Sequence, residues 1–261
     1  MSDWQPINGP LAAERQGRHG APRVVFVHGF TQTANSWKPI AQQFADRGLE
    51  VVVVDLPGHG GSAGVRADLR RTADMIASVG GRGTYVGYSL GGRVCLHLAL
   101  MYPHLVQSLV LLGAHPGIDD ADERSLRRAA DDALAEHLLD IGVDAFLSEW
   151  TALPLFGGFQ LTDADRADRL RNTAEGLADS LRMAGTGEQL PLWPRLVELN
   201  MPVLALAGAH DAKFAAIAQQ IATAVPTGRW ALIPDAAHAA HLQHPVAVVD
   251  AIVTAIPAIP A

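Results

Sequence analysis

A serine between two glycines, in the Gly-Tyr-Ser-Leu-Gly stretch at residues 87–91, constrains this chain more than any other feature. A β-prone run at 84–86 precedes it, and an apolar helical pattern at 92–100 follows it. The glycines permit a sharp strand-to-helix turn that leaves Ser89 on strained dihedrals with its hydroxyl exposed. The positive end of the following helix stabilises negative charge at the same point. The stretch therefore predicts a reactive serine rather than a plain glycine-serine turn.

Apolar runs alternate with helical patterns on both sides of this turn, which is typical of a mostly parallel sheet flanked by helices. A chain of 261 residues with 49% hydrophobic content can bury one large α/β core of this kind. Strands are predicted at 23–27, 51–55, 84–86, 109–112, 203–206 and 231–233. The polar, glycine-rich first twenty residues predict a loosely held lead-in with one edge strand. The Pro-Ala ending at 256–261 predicts a frayed tail.

The alternation stops between residues 114 and 194, where helical patterns follow one another without a strand. These patterns cover 122–130, 143–150, 163–171 and the residues from 174 onward. Helices inserted between two strands lie over the carboxyl edge of the sheet, where such sheets bind ligands. We therefore predict an α/β core from residues 1–113 and 195–261 and a helical insertion, or cap, from residues 114–194.

A serine is inert at neutral pH without a base, and the base needs an acid to orient it. Asp211 and His238 each follow an apolar strand, in the order Ser, Asp, His that such sheets use. Asp211 could instead serve only as a helix cap, and His241 or His244 could be the base. His238 is preferred because it lies in the loop, whereas the other two histidines approach the closing helix.

Two backbone N–H groups are predicted to bind the oxygen that becomes negative during the reaction. They belong to Leu90, directly after the serine, and to Phe30, in the loop after strand 23–27. Gly29 allows this loop to turn inward. We interpret His28 as a residue that fixes the loop by hydrogen bonds rather than one that moves protons.

Charge and cysteine content argue against several other classes. The 20 Lys and Arg residues against 27 Asp and Glu give a net charge of −7, which disfavours a general nucleic-acid surface. The single cysteine, Cys95, excludes an internal disulfide and a cysteine cluster for zinc, and favours a reducing cytoplasm. We expect no export leader and no membrane insertion. Neither a metal nor an organic cofactor is implied, and the oligomeric state stays open.

Several segments carry a resemblance that covers nearly the whole chain. The general ones are 27–30, 55–62, 87–93 and His238, and the more specific ones are 113–118, Trp150 with 154–156, 170–172 and 211–214. Together they resemble the 2-succinyl-6-hydroxy-2,4-cyclohexadiene-1-carboxylate synthases, pyruvate-eliminating enzymes of menaquinone biosynthesis in the α/β-hydrolase superfamily. The alanine-rich loop at 236–241 departs from the family pattern, and the first twenty residues have no counterpart in it.

The resemblance implies a catalytic triad, a small polycarboxylate substrate and a set of residues that bind it. The triad would be Ser89, Asp211 and His238; the carboxylate-binding residues would be Arg93, Arg127 and Arg171; the lining would include Tyr88, Trp150 and Phe30. Arg93 also has independent support, because it lies one helical turn after Ser89, where a simple esterase gains nothing from a guanidinium. Arg127 and Arg171 could instead lie on solvated helix faces, with Arg127 paired to Asp131.

The reaction that the resemblance implies is a proton abstraction by Ser89, made basic by His238 and Asp211, followed by expulsion of the enol of pyruvate. No acyl-enzyme is needed. The same triad could instead serve a carboxylesterase or a carbon–carbon bond hydrolase, and a non-catalytic receptor for a small acid is a third alternative. A haloalkane dehalogenase is excluded, because that chemistry needs a carboxylate at the position of Ser89.

Overall fold

The structure, a computed structural model, describes residues 4–256 and contains an eight-stranded sheet. Its strands are β1 (Gln5–Ile7), β2 (Ala13–Gly17), β3 (Arg23–Val27), β4 (Glu50–Val54), β5 (Gly83–Tyr88), β6 (Val106–Leu112), β7 (Val203–Gly208) and β8 (Gly228–Ile233). The order across the sheet is β1-β2-β4-β3-β5-β6-β7-β8. Strands β3 to β8 pair in parallel, and β1 and β2 pair antiparallel. The α/β-hydrolase architecture expected from the sequence is confirmed.

The central strands are covered on both faces, which explains their continuous apolar sequences. Every residue of β4, β5 and β7 is buried. In the register of the sheet, Val27 lies beside both Val54 and Gly87. The loops that follow β3 and β5 therefore leave the same edge, and this places Phe30 near Ser89.

The N-terminal segment is more ordered than the predicted loosely held lead-in with one edge strand. The N-terminal segment forms two strands, and β2 is hydrogen-bonded along its whole length to β4. Leu11 and Ala13 are buried in the core. The polar β2 sequence lacks an apolar alternation, so its order comes from pairing with β4 rather than from a local pattern. The predicted tail lies outside the described residues from position 257 onward.

Helices pack on both faces of the sheet. They are α1 (Lys38–Asp46), α2 (Leu69–Gly80), α3 (Leu90–Met101), α4 (Ala121–Thr151), α5 (Asp163–Arg169), α6 (Ala174–Ala184), α7 (Ala212–Ala224), α8 (Ala240–Gln243) and α9 (Pro245–Ala255). No helix was predicted from the sequence for the stretch that forms α2. None of the helices described between residues 4 and 256 is long and apolar enough to cross a membrane.

Between β6 and β7 the described chain contains helices and short turns but no strand. Helix α4 is broken at Gly142, whose φ of 77° is not helical, so the two helices predicted at 122–130 and 143–150 are its two halves. The second half packs on α6 through a small apolar core that includes Phe146, Leu177 and Leu181. We keep the division into a core and a cap at residues 114–194 as a proposal.

Candidate active site

Ser89 lies at the turn between β5 and α3 with φ 50° and ψ −109°, a conformation that a non-glycine residue rarely adopts. The flanking glycines are required by space. A Cβ atom at Gly91 would lie 2.2 Å from the carbonyl oxygen of Val27, and one at Gly87 would lie 2.5 Å from that of Gly91. The sequence therefore produces the sharp turn that was predicted from it.

Three side chains from separate loops form a continuous hydrogen-bonded chain at this edge. The Ser89 Oγ atom lies 3.2 Å from Nε2 of His238, and Nδ1 of His238 lies 2.7 Å from Oδ2 of Asp211. The other oxygen of Asp211 accepts from the backbone N–H of Phe214, which caps α7. Asp211 thus fills the capping role and also orients His238. Both residues are buried, so the carboxylate acts on the imidazole with little solvent screening.

The other two candidate histidines do not reach the serine. His241 is buried between Trp37 and Tyr88, with ring centroids 4.6 and 4.3 Å away, and its Nε2 lies 3.2–3.3 Å from the Gln32 amide. Burial lowers the pKa of His241 well below its usual value, which keeps the ring neutral. His244 contacts the Asp235 carbonyl oxygen.

The loop after β3 brings Phe30 to the cavity beside the serine. A Cβ atom at Gly29 would lie 2.6 Å from the Tyr88 ring, so only glycine fits there. His28 donates from Nδ1 to the Gly29 carbonyl oxygen (2.8 Å) and accepts at Nε2 from the Leu56 N–H (3.0 Å). Burial lowers the pKa of His28 to about 4, so it is neutral at pH 7. These contacts agree with a loop-fixing role.

A cavity of about 190 Å³ opens above Ser89 and His238. Its wall contains six of the residues predicted to line or bind: Phe30, Tyr88, Leu90, Arg93, Arg127 and Trp150. Phe30 and Trp150 meet edge to face at 5.3 Å, and Trp150 also contacts Phe156. The cavity thus combines an aromatic wall with cationic groups.

Arg93 is buried, and its guanidinium joins the sheet core to the helical insertion. Nη2 donates to the carbonyl oxygen of Ala184 (2.7 Å), and Nη1 donates to that of Gly185 (3.2 Å). Burial and then the charge of Arg127 lower the pKa of Arg93 to about 10, which leaves it cationic at pH 7. Backbone carbonyls at the end of α6 therefore fix a positive charge at one end of the cavity.

Arg127 also lines the cavity, while keeping the intrahelical pair that its sequence context allowed. Its Nε lies 2.8 Å from Oδ1 of Asp131, four residues along α4, and its side chain is 42% exposed. Asp131 is buried and accepts from the Gly187 N–H at 3.3 Å. The site therefore presents Arg127 already paired with one carboxylate.

Arg171 does not line the cavity, so this structure does not bring it together with Arg93 and Arg127, and its role in substrate binding stays a prediction. Its Nη1 lies 2.9 Å from Oδ1 of Asp168, and its side chain is 49% exposed. Because α5 ends at Arg169, the chain turns before residue 171 and the earlier arginine points inward. Arg169 is buried and donates to the Thr31 hydroxyl at 2.6 Å. The dense charge run gave no periodic signal that could separate these arginines.

Two charged residues of the cavity wall were given no role from the sequence. Lys213 lies two residues after Asp211, inside a segment that carried the family resemblance, and Asp131 was considered only as a partner of Arg127. Burial, followed by the charge of Lys213, lowers the pKa of nearby His115 to about 4.

Across residues 4–256, no group of three or more His, Cys, Asp or Glu side chains is arranged to hold a metal ion.

A serine on a strand-to-helix turn, hydrogen-bonded to a histidine and an aspartate from later strand ends, is the arrangement of α/β-hydrolase-fold enzymes. The family model described as alpha/beta hydrolase fold matches residues 22–245. A 2-succinyl-6-hydroxy-2,4-cyclohexadiene-1-carboxylate synthase from Salmonella paratyphi C is 34% identical over 92% of this chain and 96% of its own. The chain therefore belongs to the α/β-hydrolase fold family and, within it, to the 2-succinyl-6-hydroxy-2,4-cyclohexadiene-1-carboxylate synthases.

Solved structures agree with this placement. MenH from S. aureus superposes with a TM-score of 0.86 at 29% identity, covering 96% of this chain and 98% of that one. A thermophilic esterase from Thermogutta terrifontis, with malate bound, superposes with a TM-score of 0.83 at 25% identity, with both chains fully covered. This scaffold is therefore shared by MenH and by an esterase.

Proposed function

We propose that this protein is a carbon–oxygen lyase of menaquinone biosynthesis. It would eliminate pyruvate from a carboxylated cyclohexene precursor to give 2-succinyl-6-hydroxy-2,4-cyclohexadiene-1-carboxylate. The observation that carries the proposal is a hydrogen-bonded Ser-His-Asp chain that opens into a cavity also lined by Arg93 and Arg127. A neutral ester has no use for two guanidinium groups, whereas a substrate with several carboxylates needs such planar donors.

In this proposal Ser89 acts as a base rather than as a nucleophile. His238, oriented by Asp211, accepts the serine proton, and the Ser89 oxygen removes a proton from a ring carbon of the substrate. The electron pair of that C–H bond forms a new ring double bond, and the C–O bond to the pyruvate-derived group breaks. The pyruvate-derived oxygen leaves with the electron pair and takes up the proton held by His238, so pyruvate departs as its enol, Ser89 keeps the ring proton as its hydroxyl, and no co-reactant is needed. The enol becomes the ketone in solution.

The backbone N–H groups of Phe30 and Leu90 would hold the substrate oxygen that becomes negative as the proton leaves. Each such donor commonly contributes about 3 kcal/mol to the stabilisation of the transition state. Their benefit depends on fixed geometry, and the buried hydrogen bonds of His28 supply part of it. These two N–H groups and the triad would together perform the chemistry.

The cations would orient the acid and offset its charge. Arg93 cannot swing away, since two backbone carbonyls hold its guanidinium. Arg127 would exchange part of its pair with Asp131 for a substrate carboxylate. Lys213, which also lines the cavity, would supply a further positive charge. The cytoplasmic location that the single cysteine favours stays a prediction.

The test is pyruvate release from the precursor by purified protein, followed with a coupled dehydrogenase assay. Wild-type protein should release one pyruvate for each ring product formed. Ser89→Ala should abolish the release, and Ser148→Ala, at an exposed serine on α4, should not change it. Absence of pyruvate release from folded wild-type protein would contradict the proposal.

The competing function is that of a carboxylesterase or carbon–carbon bond hydrolase, and the similarity to the Thermogutta terrifontis esterase supports this alternative. In that case Ser89 would attack a carbonyl carbon and form an acyl-enzyme. An initial burst of product from an activated ester, with stoichiometric acylation of Ser89 seen by intact mass, would favour the hydrolase. Turnover of the precursor with no covalent adduct would favour the lyase.

A further inference from the structure

The short segment at residues 168–172, where α5 ends and the chain turns toward α6, is hydrogen-bonded to the loop after β3. We call residues 30–35 the oxyanion loop, since Phe30 begins it. The Arg169 guanidinium donates to the Thr31 hydroxyl (2.6 Å), and the Asn172 amide donates to the Thr31 carbonyl oxygen (2.9 Å). Asp168 accepts from the Thr33 hydroxyl and from the Asn35 amide, both at 2.6 Å. Three side chains of the helical insertion thus hold one loop of the sheet core by hydrogen bonds.

Thr31, which accepts two of these hydrogen bonds, has a strained backbone. Thr31 has a φ of 67°, in the left-handed region that a β-branched residue rarely occupies. Such a conformation persists only where the surroundings over-determine it, and it concentrates at functional sites. Thr31 is fully buried and directly follows Phe30, whose N–H is one of the two predicted oxyanion donors. A fixed Thr31 therefore limits how far the backbone of Phe30, including that N–H, can turn.

The groups that hold Thr31 are themselves buried. Arg169 and Asn172 are each about 5% exposed, and Asn172 also accepts from the Gly60 N–H at 2.8 Å. A long cationic side chain is costly to bury, so its placement against a hydroxyl beside the reaction centre calls for a role. The proposed elimination gives neither residue a role.

We propose that Arg169 and Asn172 are positioning residues that hold Thr31 in its strained conformation and so aim the Phe30 N–H into the cavity. The oxyanion hole would then be complete only while the helical insertion is seated on the sheet. This inference rests on the proposed triad and oxyanion hole, but it does not depend on which substrate they act upon. It predicts a loss of catalytic rate rather than of substrate affinity.

The experiment is a double-mutant cycle with Thr31→Val and Arg169→Met, measured on a neutral activated ester and on the precursor. Valine keeps the β-branched shape of Thr31 and removes only the hydroxyl, so it tests the contact even if Arg169→Met folds poorly. Each single variant should lower kcat about tenfold with KM changed by less than about twofold, and the double variant should be no worse than either. Thr31→Ser and Arg169→Lys should restore part of the rate.

The matched control is Arg166→Met, since Arg166 lies one turn earlier on α5 and its side chain bonds to Asp144 and Ser148 of α4, away from Thr31. It should leave kcat and KM unchanged for both substrates. The inference would be overturned if the kcat losses of the two single variants multiplied in the double variant, or if the variants raised KM at constant kcat. An equal loss of kcat in the Arg166→Met control would also overturn it. If wild-type protein hydrolyses the ester but releases no pyruvate, the proposed function fails while the ester cycle still decides this inference.

Discussion

The sheet edge and the helical insertion line one cavity under different degrees of constraint. At the edge, Ser89, His238 and Asp211 are linked by contacts of 3.2 and 2.7 Å, and the last two are buried. In the insertion, Arg127 has a side chain that is 42% exposed and pairs with Asp131. Exposed ion pairs are weak and screened, so this arginine can rearrange around a ligand, whereas the buried chain cannot. We infer that the edge performs the chemistry and the insertion selects the substrate.

The largest expected effect comes from removing the chemistry at the edge. Ser89→Ala or His238→Ala should lower kcat at least about a thousandfold for the precursor and for a neutral ester alike, because one base and one oxyanion hole serve both. Steady-state kinetics on both substrates measure this. Retention of ester hydrolysis by Ser89→Ala would place the nucleophile elsewhere.

His241→Ala is the control for the histidine assignment. Because His241 packs on Trp37 and Tyr88 without reaching the serine, its loss should cost about 3 kcal/mol of unfolding free energy and leave most of the turnover below the lowered Tm. Denaturant titration and kinetics at low temperature separate these effects. If His241→Ala were inactive and His238→Ala active, the triad assignment would be reversed.

The next effect lies within the insertion and compares two arginines there. Arg127→Ala should cost about 2 kcal/mol in kcat/KM for the precursor, or about thirtyfold, because a charge-assisted pair with a substrate carboxylate is lost. Arg171→Ala should stay within about twofold, since Arg171 pairs with Asp168 away from the cavity. Equal losses in the two variants would show that the cavity in solution includes Arg171.

The two regions also differ in how far the sequence could predict them. The positions of Ser89, Asp211 and His238 follow from glycine sterics and from strand ends, which are local signals. Whether Arg169 or Arg171 points inward depends on where α5 ends and on how it packs, and charges spaced one or two residues apart carry no such information. The order of the N-terminal segment was underestimated for a related reason, since β2 is ordered by its pairing with β4.

Acid should lower the free energy of unfolding, because histidines buried near the sheet edge resist protonation in the folded state. Burial lowers the pKa of His28 to about 4 and of His59 to about 3, against 6.5 for an unfolded histidine. The unfolded chain therefore binds more protons, and the stability these groups contribute is present above pH 6.5 and falls as the pH drops toward 4. Each contributes a slope of up to about 1.4 kcal/mol per pH unit in that window.

Denaturant titrations between pH 7 and pH 4.5 measure this slope. His59→Phe keeps a ring in the same place but cannot take up a proton. It should lower the slope of unfolding free energy against pH by up to about 1.4 kcal/mol per pH unit, which corresponds to one proton. A slope unchanged by the substitution would show that His59 does not titrate with unfolding.

The smallest expected effect is at the break in α4. Gly142 has a φ of 77° and no atom within 4 Å of an added Cβ, so Gly142→Ala should cost about 1 kcal/mol of stability through backbone strain alone. Gly64→Ala is the control, because its surroundings are equally open and its φ is not positive. Thermal unfolding of both variants makes the comparison, and equal Tm values would argue against a fixed break.

The most direct test of the division between edge and insertion is the ratio of kcat/KM for the precursor to kcat/KM for a neutral activated ester, at fixed ionic strength. We expect Arg127→Ala to lower this ratio at least about tenfold with ester hydrolysis nearly unchanged, and Arg127→Lys to restore it only in part. Ser89→Ala and His238→Ala should depress both reactions together. If Arg127→Ala lost both activities equally, or neither, the assignment of substrate selection to the insertion would be contradicted.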